Sequence, residues 1–152
     1  MLSISLDNLE NGGVLALLDE HLADMYATSP AESVHALDPE SLKHHSISFW
    51  AAEIDGNVVG CIAMKELDSD HAELKSMRTS EKARNQGVAS HLLAYVLNVA
   101  QQRQYKKLSL ETGSMDFFKP ARSLYLKNGF TYCGPFADYT LDPNSVFMER
   151  IM

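Results

Sequence analysis

The longest periodic run of apolar positions in this chain begins just after Gly87. Apolar residues recur there at intervals of three and four, at Val88, Ala89, Leu92, Leu93, Val96, Leu97, Val99 and Ala100. This spacing places them on one buried face of a helix. The stretch before it reads as a strand, so the pattern predicts a strand, a short polar connection and a long amphipathic helix.

The rest of the pattern predicts several strands and three further helical regions. Strands are expected at 2–6, 47–54, 58–67, 72–79, 107–111, 130–133 and 145–151, and helices at 14–26, 39–43 and from Pro120 to Asn128-Gly129. Asp55-Gly56-Asn57 between two of the strands is typical of a hairpin turn. Leu74 and Met77 are three residues apart on one strand, so a β-bulge is needed to place both on the core face.

The order of these elements is that of an α+β protein. The strand–helix–strand unit around the long helix predicts a right-handed parallel connection, whereas the hairpins are antiparallel. We therefore expect one parallel junction in a mostly antiparallel sheet. The 152 residues contain no repeat, linker or low-complexity tract, so a single domain spanning 1–152 is predicted.

Composition narrows the class of protein. A hydrophobic content of 45% and a charged content of 22% are typical of a soluble globular domain, and no apolar run is long enough to span a membrane. The first thirteen residues lack the features of a signal peptide, so a cytoplasmic protein is expected. The net charge is −7 and the largest basic cluster is Lys106-Lys107, which argues against a nucleic-acid partner.

Cysteine and histidine do not indicate a metal site or a disulfide framework. Cys61 and Cys133 lie in apolar, strand-like stretches, so both are predicted to be small buried hydrophobes. The six histidines lack the spacing of a zinc site, and no metal is expected.

The junction from Arg84 to Ala89 is the strongest candidate binding site. The first turn of the helix leaves backbone N–H groups without intrahelical partners, and these groups attract anions. Gly87 allows a close approach of backbone to ligand, and Arg84 adds a positive charge suited to phosphate oxygens. The sequence therefore predicts a pyrophosphate site, the alternative being an ordinary helix start with a solvated arginine.

Two motifs carry a resemblance to a known family. RNQGVA at 84–89 matches the Arg/Gln-x-x-Gly-x-Gly/Ala motif of the GNAT superfamily of acyl-CoA-dependent N-acyltransferases. ARSLYLKNGF at 121–130 resembles that family's Ala-x-x-Leu-Tyr-x-x-x-Gly-Phe signature, and AELKSMRT and the stretch 134–148 resemble a subgroup of small bacterial acetyltransferases. The resemblance implies the GNAT fold, a mixed, mostly antiparallel twisted sheet of about seven strands with a splayed parallel pair, flanked by about four helices.

The same resemblance implies acetyl-CoA as the acyl donor, its pantetheine arm lying between the splayed strands. Met77, Arg78 and Thr79 would hold the acyl and pantetheine end. The pyrophosphate would meet the backbone of Arg84, Asn85, Gln86, Gly87, Val88 and Ala89. Many members have Asn seven residues before the signature tyrosine, whereas this chain has Phe118, which is expected to pack against the cofactor instead.

Candidate catalytic residues follow from the resemblance and from the chemistry of the transfer. Tyr125 matches the family tyrosine near the thioester sulfur and is the predicted acid, the alternative being a core-edge tyrosine. Glu73 on the acyl-presenting strand is the predicted base, through water, the alternative being a solvated carboxylate. Glu32 and His35, in the long early loop, are candidate substrate contacts or simply solvated side chains.

The leading functional hypothesis is acetyl transfer to a primary amine of a small molecule. A protein or peptide amine is the second hypothesis, and a non-catalytic acyl-CoA-binding module is the third. Lys75, Arg78 and the Asp138-Tyr139 region are further candidates to line the acceptor site. Because relatives often dimerise, a homodimer is also considered.

Overall fold

The structure, a computed structural model, describes residues 1–34 and 39–152. Seven strands and four helices follow one another in the order β1 (Leu2–Leu6), α1 (Gly12–Thr28), α2 (Pro39–Leu42), β2 (Ile47–Ile54), β3 (Asn57–Glu66), β4 (His71–Thr79), α3 (Val88–Gln102), β5 (Lys107–Gly113), α4 (Lys119–Lys127), β6 (Thr131–Cys133) and β7 (Ser145–Ile151). Within these ranges, no helix is long and apolar enough to cross a lipid bilayer.

The strands form one mixed sheet in the order β1-β2-β3-β4-β5-β7-β6. Among the described strands, β4 and β5 form the one parallel pair, and their connection runs through α3. The five other strand pairs are antiparallel. The predicted α+β fold with a single parallel junction is thereby confirmed.

The turn and the bulge predicted from local sequence are both present. Asp55 and Gly56 have positive φ values of 52° and 82°, and Ile54 pairs with Asn57 across this two-residue loop. In the β3–β4 ladder, Cys61 pairs with Arg78 and Ala63 with Lys75. Two residues of β4 therefore oppose one residue of β3, which is a β-bulge.

The bulge brings Met77 back to the same core as Leu74. Ser76 takes up the irregularity with a φ of 54°. A non-glycine residue in this left-handed region is uncommon, and it marks the strand that borders the candidate site.

Two apolar cores lie on opposite faces of the sheet, because successive side chains of a strand alternate in direction. Trp50 belongs to the larger core beneath α3, whereas its neighbour Phe49 belongs to the smaller core beneath α1. The larger core is built from buried side chains that include Ile62, Leu92, Leu93, Leu108, Phe130 and Met148. The sheet is thus covered on both faces.

Three details differ from the sequence-based predictions. β5 continues past Glu111 to Gly113, because Thr112 and Gly113 pair with β7. Leu6 is an apolar position of the alternating strand β1, yet it is exposed at the end of that edge strand. Cys61 is fully buried as predicted, whereas Cys133 on the outermost strand is only half-buried, so the prediction of burial is wrong for Cys133.

Candidate active site

β4 and β5 separate partway along their length. Their pairing runs from His71 with Lys107 to Leu74 with Leu110. Beyond that point β4 stays with β3 as far as Thr79, and β5 stays with β7 as far as Gly113. The two strands therefore form a wedge whose facing backbone groups are no longer paired with each other. This is the splayed parallel pair that the family resemblance implied.

A cavity of about 650 Å³ opens at the wedge. This volume is within the usual range for small-molecule sites. Its walls come from β4, β5, the first turns of α3 and α4, one side of α1 and the loop after β6. The polar side chains of the lining include His21, Asp24, Glu73, Lys75, Arg78, Arg84, Asn85, Ser90, Glu111, Thr112, Tyr125 and Tyr139.

One end of the cavity is the first turn of α3. Gly87 is the N-cap residue with a φ of 79°, and Asn85 also has a positive φ of 64°. Among the described residues, no side chain caps this turn, and its N–H groups before His91, which donates to the Gly87 carbonyl, have no intrahelical acceptor. Arg84 is exposed at the same place. The turn has the chemistry of an anion site.

Gly60 on β3 allows α3 to approach the sheet closely. A Cβ atom at this position would lie 2.8 Å from Val88 Cγ1 and 2.9 Å from Leu92 Cδ1. The absence of that atom lets the first turn of α3 pack onto β3, and this packing fixes the anion site relative to β4.

Glu73 lies deeper in the wedge and is almost completely buried. Tyr139 donates its hydroxyl to Glu73 Oε2 at 2.5 Å, and Lys75 Nζ donates to the same oxygen at 3.1 Å. The side chain of Glu73 is 4% exposed, so it is not the solvated carboxylate of the alternative interpretation. A buried carboxylate with a cationic and a hydroxyl partner is a candidate for proton transfer.

Tyr125 lies on α4, where its hydroxyl reaches the opposite wall of the cavity. The hydroxyl oxygen is 4.0 Å from Met77 Sδ on β4, and the ring packs edge-on against Phe130. Burial, followed by the negative charge of Glu111, raises the pKa of Tyr125 above its usual value. The hydroxyl is therefore protonated at neutral pH and is available as a donor.

Arg78 joins β4 to α1. Its guanidinium pairs with Asp24 Oδ2 at 2.6 Å and also with Glu20, and the side chain is 6% exposed. These hydrogen bonds and charges raise the pKa of Arg78 against the effect of burial. Arg78 borders the cavity, but its charged group is held by two carboxylates of α1, which ties that helix to the wall of the site.

Phe118 packs over the end of β5. A Cβ atom on Gly113 would lie 2.1 Å from Phe118 Cδ2, so the ring occupies the space that a side chain at 113 would need. Phe118 is buried and lines the cavity, where the sequence predicted a contact with the cofactor.

The cavity brings together most, but not all, of the predicted site residues. All the predicted cofactor contacts except Gln86 line it, and the Gln86 amide donates instead to the carbonyl of Lys82. Glu32 is exposed and is not part of the described cavity lining. His35 lies outside the described residues. The binding roles of these residues stay predictions.

Sequence reasoning missed three titratable residues of the described cavity lining. Glu111 belongs to the part of β5 beyond its last paired residue with β4, and His21 and Asp24 come from α1. His21 lies at helical spacing after Leu17 and Leu18, and no local signal in the sequence showed that this face of α1 borders a cavity. Lys75 and Tyr139 line the cavity, whereas Asp138 is exposed and is absent from its described lining; their role at an acceptor site stays a prediction.

One cluster of carboxylates stands beside the site. Oxygen atoms of Glu20, Asp24 and Glu81 lie within 4.8 Å of one another. Glu20 and Asp24 already pair with Arg78, so much of the cluster's negative charge is offset within the protein.

Comparison with known proteins agrees with this geometry. The sequence model of the acetyltransferase (GNAT) family matches residues 14–130. The chain is 50% identical to the uncharacterized N-acetyltransferase YsnE of Bacillus subtilis, covering 97% of each chain. It is 45% identical to the uncharacterized N-acetyltransferase YedL of Escherichia coli, over 98% of this chain and 94% of the relative. An IAA acetyltransferase of Azospirillum brasilense is 38% identical over 88% of this chain and 84% of its own length.

Solved structures share the fold. A protein of Klebsiella pneumoniae described as an acyl-CoA N-acyltransferase superposes with a TM-score of 0.81 at 28% identity, over 99% of this chain and 97% of that one. A GNAT family acetyltransferase of Elizabethkingia anophelis, solved with acetyl-CoA bound, has a TM-score of 0.68 at 21% identity over 99% and 98%. The ribosomal-protein-S18-alanine N-acetyltransferase of Escherichia coli has a TM-score of 0.73 at 16% identity over 99% and 94%.

Proposed function

The chain belongs to the acetyltransferase (GNAT) family and is an acyltransferase, and we propose that it moves the acetyl group of acetyl-CoA directly to a primary amine of a small molecule. The observation that carries the proposal is one continuous cavity. Its lining includes the uncapped first turn of α3 at one end and the buried pair of candidate groups, Glu73 and Tyr125, in the wedge.

The acetyl-CoA site is supported by the fit of the cavity to the parts of that molecule. The diphosphate would meet the N–H groups of Gly87 and Val88 and the charge of Arg84. The pantetheine arm would lie along the unpaired edge of β4 at Met77 and Thr79, with the ring of Phe118 beside it. The Elizabethkingia relative, which shares the fold, was solved with acetyl-CoA bound.

The chemistry requires proton transfers at two places. An alkylammonium with a pKa near ~10.4 must lose a proton before it can attack, which costs about 4–5 kcal/mol at pH 7. The amine nitrogen then bonds to the acetyl carbonyl carbon, the carbon–sulfur bond breaks, and the nitrogen gives up its second proton to become the amide. The departing thiolate, with a pKa near ~8.5, takes up a proton, so one proton per turnover is released to solvent. The enzyme therefore needs a base on the amine side and a donor on the sulfur side.

Glu73 is the base and Tyr125 is the donor in this proposal. Glu73 is buried on the acyl-presenting strand, and it would accept the proton of the ammonium through a water molecule. The pKa of Tyr125 is raised by burial, so its hydroxyl carries a proton that it can donate to the thiolate. The glutamate is on a strand and the tyrosine on a helix, so both are held on rigid elements.

The acceptor is proposed to be small because the proton-accepting group is buried. Glu73 is 3% exposed, and the described lining of the cavity includes three aromatic side chains, those of Phe117, Phe118 and Tyr139. A small amine can enter such a site with little loss of conformational entropy, whereas a peptide needs an open groove. The IAA acetyltransferase relative is named for a small molecule, and the ribosomal-protein relative for a protein alanine. The ribosomal-protein relative is similar to this chain in fold alone.

Release of thiol from acetyl-CoA is the direct test. Propylamine, benzylamine, spermidine and the α-amino acids would be compared with peptides that bear a free N-terminus or an internal lysine. We expect turnover with at least one small amine and a Glu73→Gln variant that is slower by about 100-fold or more. Turnover confined to peptides would replace the small-molecule acceptor with a protein amine. A Glu73→Gln variant at the wild-type rate would remove the base assignment.

Location and assembly stay predictions from the sequence. A cytoplasmic protein acting as one domain, without nucleic-acid or membrane partners and without a metal, is the expectation, and a homodimer is one expected assembly. Sedimentation of the purified protein measures the last of these.

A further inference from the structure

Two side chains of β4 and one from a distant loop form a closed ring of hydrogen bonds in the wedge. Lys75 Nζ donates to Tyr139 Oη at 2.9 Å and to Glu73 Oε2 at 3.1 Å, and the Tyr139 hydroxyl donates to the same Glu73 oxygen at 2.5 Å. Tyr139 lies 66 residues from Glu73 along the chain. The side chains of Glu73 and Lys75 are 4% and 10% exposed.

The directions of these hydrogen bonds are mutually consistent. An ammonium group has only donors, a carboxylate has only acceptors, and a tyrosine hydroxyl can accept one bond and donate another. These directions fit an ionised Glu73, a charged Lys75 and a neutral Tyr139. Both described hydrogen bonds to the carboxylate reach Oε2, so Oε1 is the oxygen of Glu73 that remains to take up a proton.

The tyrosine is held in place by packing that does not involve its hydroxyl. Its ring contacts Phe136 and Phe147 at centroid distances of 5.0 and 5.5 Å. Lys75 Nζ also lies 5.6 Å from the centre of the same ring. Because the ring is clamped by aromatic neighbours, the hydroxyl presents a fixed donor to the carboxylate.

The electrostatics of the pocket agree with this arrangement. Burial, and then the charge and hydrogen bond of Glu73, raise the pKa of Tyr139, with a further contribution from Glu111 on β5. His71, at the start of β4, also lies within electrostatic reach of Glu73 and has a pKa lowered mainly by burial. The tyrosine therefore stays a donor across the pH range in which an enzyme of this kind is assayed.

We propose that Tyr139 and Lys75 are positioning residues that hold the Glu73 carboxylate in one orientation, with Oε2 occupied and Oε1 left to receive the proton of the acceptor. The inference rests on the proposed function of Glu73 as the base. It adds to that function a loop residue, Tyr139, that acts on the reaction only through the glutamate.

A double-mutant cycle tests this dependence. The cycle compares wild type, Tyr139→Phe, Glu73→Gln and the double variant in kcat for the fastest amine of the panel. Phenylalanine keeps the ring and its packing but removes the hydroxyl. Because a hydrogen bond to a charged group is lost, Tyr139→Phe should lower kcat by about 10- to 100-fold, with the KM for acetyl-CoA unchanged. In the Glu73→Gln background the same change should have almost no effect.

Controls separate positioning from general stability. Tyr132 on β6 is 54% exposed, and Tyr132→Phe should leave kcat at the wild-type value. Lys75→Met should lower kcat in the wild-type background and much less in the Glu73→Gln background. If Glu73→Gln is slow and Tyr139→Phe slows it again by its full factor, the positioning role is overturned while the base assignment survives. If Glu73→Gln turns over at the wild-type rate, the base assignment itself fails.

A proton NMR measurement tests the ring without any acceptor. A short hydroxyl–carboxylate bond should give a far-downfield hydroxyl resonance in the wild-type protein at neutral pH. We expect that resonance to disappear in Tyr139→Phe and in Glu73→Gln and to persist in Tyr132→Phe. Its absence from folded wild-type protein would overturn the proposal whatever the turnover measurements show.

Discussion

Replacement of Gly113 by alanine is the sharpest perturbation that this structure offers. Gly113 is buried at the end of β5, where the strand borders the wedge. An added Cβ atom would lie 2.1, 2.4 and 2.9 Å from three atoms of the Phe118 ring. Carbon atoms in contact are normally about 3.5–4.0 Å apart, so the ring must move by roughly 1.5 Å.

The direction of that movement decides what is lost. Phe118 lines the cavity, so open space adjoins the ring on that side. Overpacking of this kind lowers the free energy of unfolding by about 1–3 kcal/mol. Each kcal/mol lost lowers the melting temperature by roughly 2–4 °C in a domain of this size. A ring pushed into the cavity also takes up the room proposed for pantetheine. The affinity for acetyl-CoA should therefore fall by about tenfold or more, where each factor of ten corresponds to ~1.4 kcal/mol of binding free energy.

The assay pairs thermal unfolding with calorimetric titration of acetyl-CoA. Gly134→Ala is the matched control, because no atom lies within 4 Å of an added Cβ there. We expect Gly113→Ala to lose both stability and affinity, and Gly134→Ala to lose neither. A Gly113→Ala protein that melts several degrees lower yet binds acetyl-CoA as wild type does would refute the placement of Phe118 beside the cofactor.

Three further predictions concern the two ends of the site and the adjoining helix. Tyr125→Phe should lower kcat while calorimetric affinity for acetyl-CoA stays near wild type, and an unchanged kcat would remove the donor role. Gly87→Ala and Gly56→Ala should each lower the free energy of unfolding in urea by about 1–2 kcal/mol, because both glycines have φ values near 80°. Only Gly87→Ala should also weaken acetyl-CoA binding, and equal binding by the two variants would contradict the anion site. Burial, then the charge of Arg78, lowers the pKa of His21 to about 4, so the unfolded chain takes up a proton near pH 6.5 that the folded protein resists. The free energy of unfolding should therefore fall between about pH 6.5 and 4 by up to ~1.4 kcal/mol per pH unit. In urea titrations at pH 7 and 5, His21→Gln should lose less of this free energy than the wild type does. An equal loss in both proteins would show that His21 is not the cause.

The sequence by itself determined the parts of the fold that depend on a few neighbouring residues. The helical spacing after Gly87, the Asp55-Gly56 turn and the bulge between Leu74 and Met77 were all predicted and are all present. Each follows from side-chain periodicity or from the backbone freedom of one or two residues, and these act within a single element. The glycine-containing junction and the signature tyrosine were recognisable for the same reason.

Only the tertiary structure decided how Glu73 is surrounded. Alternation along the strand put Glu73 and Lys75 on one face, but it did not show that Tyr139 would complete their ring of hydrogen bonds. Likewise, Arg78 was predicted as a cofactor contact, whereas its guanidinium is held by Glu20 and Asp24 of α1. Partners of this kind come from segments far apart in sequence, and they meet because both faces of one sheet must be covered to bury its apolar side chains.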